Sequence, residues 1–301
     1  MPLLVRVPNW LGDVMMSLPA VTGLARECPG TALWAHPRVA GLLDLLFPET
    51  EVIRIGGVPR GFDRVLLLTD SWSSAWKAFR TGARERMGRK SDLRGILLTS
   101  GIRVPAGRGR HHSEDYAELA RLAGAGPAAP DLSMVEPSGL PHVALFPGAR
   151  YGPAKRWGGF GRLALLLSRD SGLPVIAYGT PDEATLLETV ASESEGAATV
   201  EPGLAPDRLA CRVASARLAV GNDSGGVHLA AALGVPTLTV FGSTSPVWTA
   251  PLGPRTGTIS AGLECSPCFD RKCSRGEPAE CLAGITAQDV AAACSELGYA
   301  T

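Results

Sequence analysis

The sequence predicts an α/β protein made of two doubly wound parallel-sheet domains, and three observations lead to this fold class. Short apolar strands alternate with amphipathic helices along most of the 301 residues, a pattern that produces parallel sheets with helices on both faces. A proline-rich stretch with little periodicity, residues 127–141, interrupts the alternation once and is the expected linker. The 36 glycines and 24 prolines suit the many tight strand–helix connections of such sheets.

In the first half, the spacing of apolar residues predicts four strands and two helices, with a polar segment before the second helix. The elements, in order, are the strand Leu3–Val7, the helix Gly12–Glu27, the strands Ala32–Ala35, Val52–Ile55 and Arg64–Leu68, an Arg-rich region from Arg80 to Arg110, and the helix His112–Ala123.

The alternation restarts after the linker. The elements are the strand His142–Phe146, the helix Phe160–Arg169, the strand Val175–Tyr178, the helix Asp182–Ala191, the strand Ala198–Val200, the helix Pro206–Ala214, the segment Ala219–Gly242 and the helix Val290–Leu297. We therefore predict a first domain over residues 1–138 and a second over residues 139–301. Ligands of such sheets bind at the carboxyl ends of the strands, so we expect a cleft between the domains.

Composition narrows the class of protein. Basic and acidic residues balance at 29 each, which gives no argument for a nucleic-acid partner. No apolar run reaches the roughly 20 residues of a membrane-spanning helix. The chain enters a strand directly, without the basic flank and apolar core of a secretory signal. We therefore expect a cytoplasmic protein whose seven cysteines are reduced.

The most informative stretch is Ala219–Gly242, which reads as a strand, an acidic glycine turn, a helix and a second strand. The turn places Asp223, Ser224 and the amide of Gly225 at a helix start, where unpaired N–H groups bind phosphate readily. His228 lies four residues after Ser224 and so faces the same side of the helix start. A helix capped by Asp223 or Ser224 is the competing interpretation.

The loop after the first strand carries a second candidate site. It contains Asn9, Trp10 and Gly12, and Asp13 falls in the first turn of the next helix. A carboxylate there either complements the helix dipole or is a general base at the floor of the cleft.

Two loops of the second half add further candidates. The loop after strand 142–146 begins at Pro147, includes Gly148 and carries Lys155 between two arginines. These cations could neutralise a diphosphate without a metal, or simply keep the surface soluble. After strand 175–178, Asp182 and Glu183 could hydrogen-bond ribose hydroxyls or supply charge at the start of a helix.

The chain resembles the ADP-heptose:lipopolysaccharide heptosyltransferases in four ordered segments, VPNWLGDVMMSLPAV, PGARYGPAKRW, GNDSGGVHLAAALGVP and FGSTSPVWTAPLG. The segment CSPCFDRKCSRGEPAEC most resembles the heptosyltransferase II branch. The resemblance runs from residue 3 to about residue 290. It implies a GT-B fold, with two Rossmann-like domains facing across a cleft, and an inverting mechanism without a metal or other cofactor.

The resemblance also implies roles for individual residues. Asp13 matches the proposed base that deprotonates the acceptor hydroxyl, and Lys155 matches the lysine that holds the donor phosphates. The residues matching the nucleotide motif are Asp223, Ser224, Gly225 and His228. The sequence departs from the family at Gly158-Gly159, where a proline commonly follows the tryptophan, and a looser loop is expected there.

The implied partners are an ADP-sugar donor, with heptose as the expected sugar, and a glycan or lipid-linked glycan acceptor, with the lipopolysaccharide inner core as the expected one. Two other classes stay open. A sugar-nucleotide epimerase of GT-B architecture would use the same phosphate loops without an acceptor. A non-catalytic sugar-nucleotide-binding protein would have no use for Asp13.

Four of the cysteines, Cys265, Cys268, Cys273 and Cys281, begin with the C-x2-C spacing of structural zinc sites. Seven residues separate the second pair, and no histidine lies nearby. We therefore predict reduced packing thiols and no metal, with zinc and a disulfide as the alternatives. Cys28, Cys211 and Cys294 are interpreted as helix-packing thiols.

A basic cluster in the first half is predicted to be a solvated face, with contact to a phosphorylated, lipid-linked acceptor at the membrane surface as the alternative. Its members are Arg80, Arg84, Arg86, Arg89, Lys90 and Arg94, near Trp72 and Trp76. His111 and His112, close to Glu114 and Asp115, could suggest a metal site. They are interpreted as polar surface instead, because adjacent residues of a helix point in different directions.

Overall fold

The computed structural model describes residues 1–103 and 108–298, without the side chain of Asp92. Residues 104–107 of the predicted Arg-rich region, and residues 299–301 at the end of the predicted second domain, lie outside this description. The chain divides into two compact units, Met1–Met134 and a second that begins at Val135. The domain boundary predicted from the sequence follows that residue by four positions.

The first unit contains a six-stranded parallel sheet. Its strands are β1 (Leu3–Arg6), β2 (Ala32–Ala35), β3 (Glu51–Arg54), β4 (Arg64–Leu67), β5 (Glu85–Arg89) and β6 (Ser100–Ile102). Its α-helices are α1 (Leu11–Glu27), α2 (Pro37–Leu46), α3 (Trp72–Arg80) and α4 (His112–Leu122), and a 3-10 helix spans Asp92–Leu97. The strand order is β3-β2-β1-β4-β5-β6.

The apolar run at the start of β1 explains why this sheet is covered on both faces. Leu3 and Val5 pack with apolar residues of α1 and α4. Leu4 packs with Trp34 and Ala75 in a separate cluster. Successive residues of a strand point to opposite faces, so a strand that is apolar at every position needs helices on both sides.

The second unit repeats the architecture with six more parallel strands. They are β7 (His142–Phe146), β8 (Val175–Gly179), β9 (Ala198–Pro202), β10 (Ala216–Asn222), β11 (Thr237–Phe241) and β12 (Thr256–Ser260), in the order β12-β11-β10-β7-β8-β9. The helices are α5 (Phe160–Ser171), α6 (Ala184–Glu193), α7 (Pro206–Ala214), α8 (Gly225–Ala232), α9 (Pro246–Thr249), α10 (Glu280–Ala283) and α11 (Ala287–Glu296), with 3-10 helices at Pro153–Lys155 and Pro181–Glu183.

Each sheet has one point where the chain order reverses between neighbouring strands. In the first unit β1 pairs with β4, and in the second β7 pairs with β10. Loops leave such a pair in opposite directions and open a crevice at the carboxyl ends of the strands, which is where sheets of this kind bind ligands. The loops at 7–10 and 68–71 flank the first of these switch points, and those at 147–152 and 223–224 flank the second.

The predicted α/β fold with two doubly wound parallel sheets is confirmed, but the sequence did not indicate several elements. They are α2, α3, β5, β6, α9, β12 and α10. The predicted helix Asp182–Ala191 begins as the 3-10 helix Pro181–Glu183 and continues as α6. Within residues 1–103 and 108–298, no helix combines the length and apolar character needed to cross a membrane.

The prediction of a solvated basic face is wrong for three of the six residues. Arg94 is buried and donates to the carbonyl oxygen of Thr69 at 2.7 Å. Arg89 pairs with Asp70 and, at 2.8 Å, with the buried carboxylate of Asp115. Arg86 donates to the Leu97 carbonyl oxygen at 2.8 Å. These guanidinium groups bind strand ends and loops together.

The polar-surface interpretation of His112 is also wrong. Its side chain is 14% exposed, and its Nδ1 lies 3.0 Å from Asp115 Oδ2. The same carboxylate accepts from Arg110 at 2.5 Å. Asp115 pairs with His112, Arg89 and Arg110, because a buried charge is costly unless it is paired.

Candidate functional site

The carboxylate of Asp223 follows β10 at the switch point of the second unit. Its Oδ2 accepts from Lys155 Nζ at 2.6 Å, Thr244 Oγ1 at 2.7 Å and Thr249 Oγ1 at 3.0 Å. Its Oδ1 lies 3.6 Å from Nε2 of His228. One acid therefore joins the loops that follow β7, β10 and β11.

The pKa of Asp223 reports on this environment. The side chain is 4% exposed, and burial alone would raise its pKa. The contact with His228 at 3.6 Å and the charge and hydrogen bond of Lys155 outweigh burial, so the pKa of Asp223 lies well below its usual range. Asp223 is thus a permanent anion that holds the lysine ammonium in place, with N–H groups left over for a ligand.

The start of α8 has the form of an anion site. Ser224 occupies the N-cap position, and among the residues that the structure describes its side chain makes no capping hydrogen bond. The carboxylate of Asp223 is occupied by other partners, as described above. The geometry therefore contradicts the competing interpretation, in which either side chain caps the helix. The first amides of α8, beginning at Gly225, are left for a ligand.

The loop that carries Lys155 is fixed at both ends. Asn222 donates to the Pro147 carbonyl oxygen at 2.7 Å and accepts from the backbone N–H of Trp157 at 3.0 Å. The Lys155 ammonium lies 5.5 Å from the ring centre of Tyr151. The lysine is therefore presented by a braced loop.

Gly148 and Glu183 bring the loops after β7 and β8 together. A Cβ atom at Gly148 would lie 2.2 Å from a carboxylate oxygen of Glu183, so a larger residue there would displace this carboxylate. The other carboxylate oxygen accepts from the backbone N–H and hydroxyl of Thr180, at 2.9 and 3.0 Å. Asp182 is exposed. Of the two predicted acids, Glu183 is therefore the one that contacts the loop after β7.

In the first unit, Asp13 lies where the sequence predicted it, in the first turn of α1 beside the switch point. Its surroundings include buried Tyr116, whose pKa is raised well above the usual value by burial and then by the charges of Asp13 and Asp70. The carboxylate of Asp13 is half-buried. A partly shielded acid at this edge can accept a proton from a ligand.

The loop before Asp13 is held by a buried arginine. Arg6 donates to Asn9 Oδ1 at 2.5 Å and to the Trp34 carbonyl oxygen at 3.2 Å, and burial lowers its pKa to about 10. Trp10 is 39% exposed, and the Arg38 guanidinium lies 4.5 Å from its ring centre. Gly12 is the second residue of α1.

The four-cysteine segment braces the lysine loop. The Arg271 carbonyl oxygen accepts from Ala154 N–H at 3.2 Å, and Tyr151 donates to the Phe269 carbonyl oxygen. All seven cysteines are free thiols. Within the described ranges, no group of three or more His, Cys, Asp or Glu side chains is arranged to hold a metal ion.

The sequence missed several residues of this site. Thr244 and Thr249 reach Asp223, and Asn222 ties the lysine loop to β10. The hydroxyl of Ser243 is buried and has no hydrogen-bond partner among the residues described. Thr244 and Thr249 belong to a quoted motif, FGSTSPVWTAPLG, but spacing alone did not indicate that their hydroxyls donate to Asp223.

Comparison with known proteins identifies the family of this chain. The model of glycosyltransferase family 9 (heptosyltransferase) matches residues 58–278. The chain is 26% identical to lipooligosaccharide heptosyltransferase 2 of Haemophilus ducreyi, over 84% of this chain and 86% of that protein. It is 27% identical to lipopolysaccharide heptosyltransferase 1 of Pseudomonas aeruginosa, over 88% and 85% of the two chains.

Solved structures give the same fold. The ADP-heptose lipopolysaccharide heptosyltransferase II of Escherichia coli superposes with a TM-score of 0.81, at 24% identity, over 99% of this chain and 98% of that one. The E. coli heptosyltransferase WaaC with ADP gives 0.77, at 20% identity, over 99% and 100%. The predicted GT-B fold class is confirmed. The chain belongs to glycosyltransferase family 9, the heptosyltransferase family.

Proposed function

We propose that this glycosyltransferase moves a heptose from ADP-heptose to a sugar hydroxyl of the lipopolysaccharide inner core, with inversion at the anomeric carbon. The observation that carries the proposal is the chemistry at the two switch points. One presents a half-buried carboxylate, and the other presents a fixed lysine beside an uncapped helix start. The names of similar proteins supply the substrate classes, since one is a lipopolysaccharide heptosyltransferase and another an ADP-heptose lipopolysaccharide heptosyltransferase.

In this mechanism Asp13 takes the proton of the acceptor hydroxyl. The acceptor oxygen attacks the anomeric carbon from one face while the bond from that carbon to the diphosphate oxygen breaks on the other. The electron pair of that bond leaves with ADP, which inverts the configuration. Holding both substrates in line supplies much of the acceleration.

The second unit binds the leaving group. Lys155, His228 and the amides at Gly225 would stabilise the charge that develops on the diphosphate, an effect worth several kcal/mol when the donors are fixed beforehand. Ser224 and Gly148 line the same site. Glu183, with Asp182 at its margin, accepts from the ribose hydroxyls, as acids do in dinucleotide-binding folds.

The same proposal gives the enzyme a cytoplasmic location with peripheral contact at the inner membrane, because its acceptor is lipid-linked. It uses no metal, since a lysine, a histidine and helix amides neutralise the diphosphate. An epimerase would instead convert the sugar nucleotide without an acceptor, and a binding protein would convert nothing.

The test is ADP release from ADP-heptose with and without an inner-core acceptor. We expect release only with the acceptor. Asp13→Asn should lower turnover by about 10²–10⁴-fold while ADP affinity stays unchanged, because the carboxylate acts only as base. Asp44→Asn, which removes an exposed carboxylate paired with Arg54, is the matched control. Undiminished turnover of Asp13→Asn would remove this residue from the mechanism.

A further inference from the structure

The first unit carries an exposed apolar surface formed by Trp72, Trp76, Phe79, Leu93 and Ile96, here named the aromatic surface. Their exposed fractions are 48%, 47%, 46%, 78% and 76%. The three aromatic residues belong to α3, and the two aliphatic ones belong to the 3-10 helix that packs against it. Large apolar side chains exposed on neighbouring elements mark a contact surface.

The aromatic surface is built into the fold. Trp72, Trp76 and Phe79 are spaced four and three residues apart and share one side of α3, while Ala75 and Ala78 face the sheet and are fully buried. The rings of Trp76 and Phe79 stack with centroids 5.6 Å apart.

A fixed arginine supports this stack. The Arg86 guanidinium lies 5.5 Å from the ring centre of Phe79. It is held by hydrogen bonds to the carbonyl oxygens of Ala83 and Leu97, at 2.6 and 2.8 Å. The surface is therefore preformed and would lose little freedom on docking.

Charge around the aromatic surface is strongly positive. Residues 72–96 include seven basic and two acidic residues, although the whole chain is balanced. Arg86, Arg89 and Arg94 are used inside the unit, as described above. The basic residues that remain at the surface are Lys77, which is half-buried, and the exposed Arg80, Arg84 and Lys90.

We infer that the aromatic surface and its basic surround dock the enzyme on an anionic lipid membrane. Tryptophan rings settle at the boundary between headgroups and acyl chains, and basic residues are attracted to anionic headgroups. An apolar and an electrostatic signal together give stable peripheral binding where either alone is marginal.

The position of α3 links this surface to the site. Trp72 follows the loop at 68–71, which flanks the same switch point as the loop before Asp13. Docking would thus bring the base-carrying edge of the sheet close to the membrane. The inference rests on the proposed function in one respect: a lipid-linked acceptor is the reason why this edge should lie close to the membrane.

Co-sedimentation of the whole chain with lipid vesicles tests the inference. We expect binding to vesicles of phosphatidylethanolamine and phosphatidylglycerol and at least tenfold weaker binding to phosphatidylcholine alone. Raising the salt from about 0.1 M to about 1 M should weaken binding, because the Debye length falls from about 10 Å to about 3 Å. Trp72→Ser with Trp76→Ser, and Arg80→Glu with Arg84→Glu, should each lower the affinity by about tenfold or more.

Matched controls lie on the second unit. Leu140→Ser with Leu252→Ser removes apolar side chains that are 76% and 43% exposed, and Arg169→Glu with Arg208→Glu reverses two exposed charges. Both control pairs should bind vesicles like the parent chain, and all variants should melt at the parent temperature.

Activity on a deacylated, water-soluble acceptor separates this inference from the proposed function. The docking variants should retain that activity. Failure of the parent chain on this acceptor would count against the proposed function, while vesicle binding, which involves no sugar, still decides the docking surface. Equal vesicle binding by docking variants and parent would overturn the inference. So would a parent dimer that the tryptophan variant converts to a monomer without any loss of vesicle binding.

Discussion

At the scale of single residues, Asp223 has a role that its charge alone would not suggest, because an anion is placed where a diphosphate is proposed to bind. Its two oxygens are occupied by Lys155, two threonine hydroxyls and His228. The acid therefore organises the site and does not face the ligand as a free charge. Its role is like that of the hydrogen-bonding groups that orient the side chains ligating a metal.

Asp223→Asn should therefore weaken both the fold and the binding of ADP. Removing one partner of a buried ion pair costs about 3–5 kcal/mol of unfolding free energy, since the lysine is left without its counter-charge. ADP affinity should fall because Lys155 is no longer held. Denaturant unfolding and calorimetric titration with ADP measure the two effects. Asp170→Asn, at an exposed position, should change neither, and unchanged ADP binding by Asp223→Asn would contradict the role.

The lowered pKa of Asp223 also makes stability depend on pH. Its folded-state pKa lies below the unfolded value of about 3.9, so the folded state binds the proton less readily than the unfolded chain. The stabilisation is fully present above about pH 4 and is lost as the pH falls below that value. The difference in unfolding free energy between parent and Asp223→Asn should accordingly be constant near neutrality and shrink in acid. A difference that grows on acidification would show the opposite sign of coupling.

The sequence identified part of this site for physical reasons. Lys155, Asp223 and His228 belong to local motifs next to predicted strand ends, so their neighbourhood follows from strand order. Thr244, Thr249 and Asn222 act across the chain through single hydroxyl or amide hydrogen bonds, which leave no periodicity or charge pattern. Residue type alone could not distinguish Glu183 from Asp182, because only the approach to Gly148 decides between them.

At the scale of elements, glycines set how closely α8 approaches the sheet. A Cβ atom at Gly226 would lie 2.1 Å from the ring of Phe146, which ends β7. Gly226→Ala should therefore displace the start of α8, at a cost of about 1–3 kcal/mol, and weaken ADP binding. Thermal unfolding and ADP titration measure this. Gly158→Ala, where a Cβ would meet nothing within 4 Å, is the control, and parent-like ADP affinity of Gly226→Ala would exclude the close approach.

The elements that the sequence missed share a physical cause. β5 was missed because its sequence is polar. The strand lies next to the edge strand β6, and the charged ends of its arginines and glutamate reach loops and ion-pair partners. α3 has only nine residues and exposes its aromatic side chains, so its apolar pattern does not match a core-facing helix. The buried strands β1, β7, β10 and β11 carry near-continuous apolar runs and were predicted from these.

At the scale of the whole molecule, overall charge conceals a strong local asymmetry. The chain has as many acidic as basic residues, yet residues 72–96 are markedly basic and lie in the first unit. Alternating strands and helices predicted two sheets, and the proline-rich interruption fell close to the junction of the two units. Which arginines would be buried could not be predicted, because burial depends on Asp70, Asp115 and carbonyl groups distant in the sequence.

The whole enzyme should also transfer sugar in excess EDTA. Magnesium and manganese prefer several oxygen ligands, usually one or two carboxylates with phosphates and waters. At the donor site, Oδ2 of Asp223 already accepts three hydrogen bonds, so this carboxylate could offer a cation one oxygen at most, Oδ1. Lys155, His228 and the amides of α8 would neutralise the diphosphate instead. We expect the rate of ADP release to be unchanged by EDTA and by added Mg²⁺. Metal analysis of the purified protein should accompany the assay, because slow removal of a metal from the four-cysteine segment would unfold the loop that braces Lys155. Immediate loss of activity in EDTA that Mg²⁺ restores and Zn²⁺ does not would require a bridging cation and overturn the metal-free mechanism.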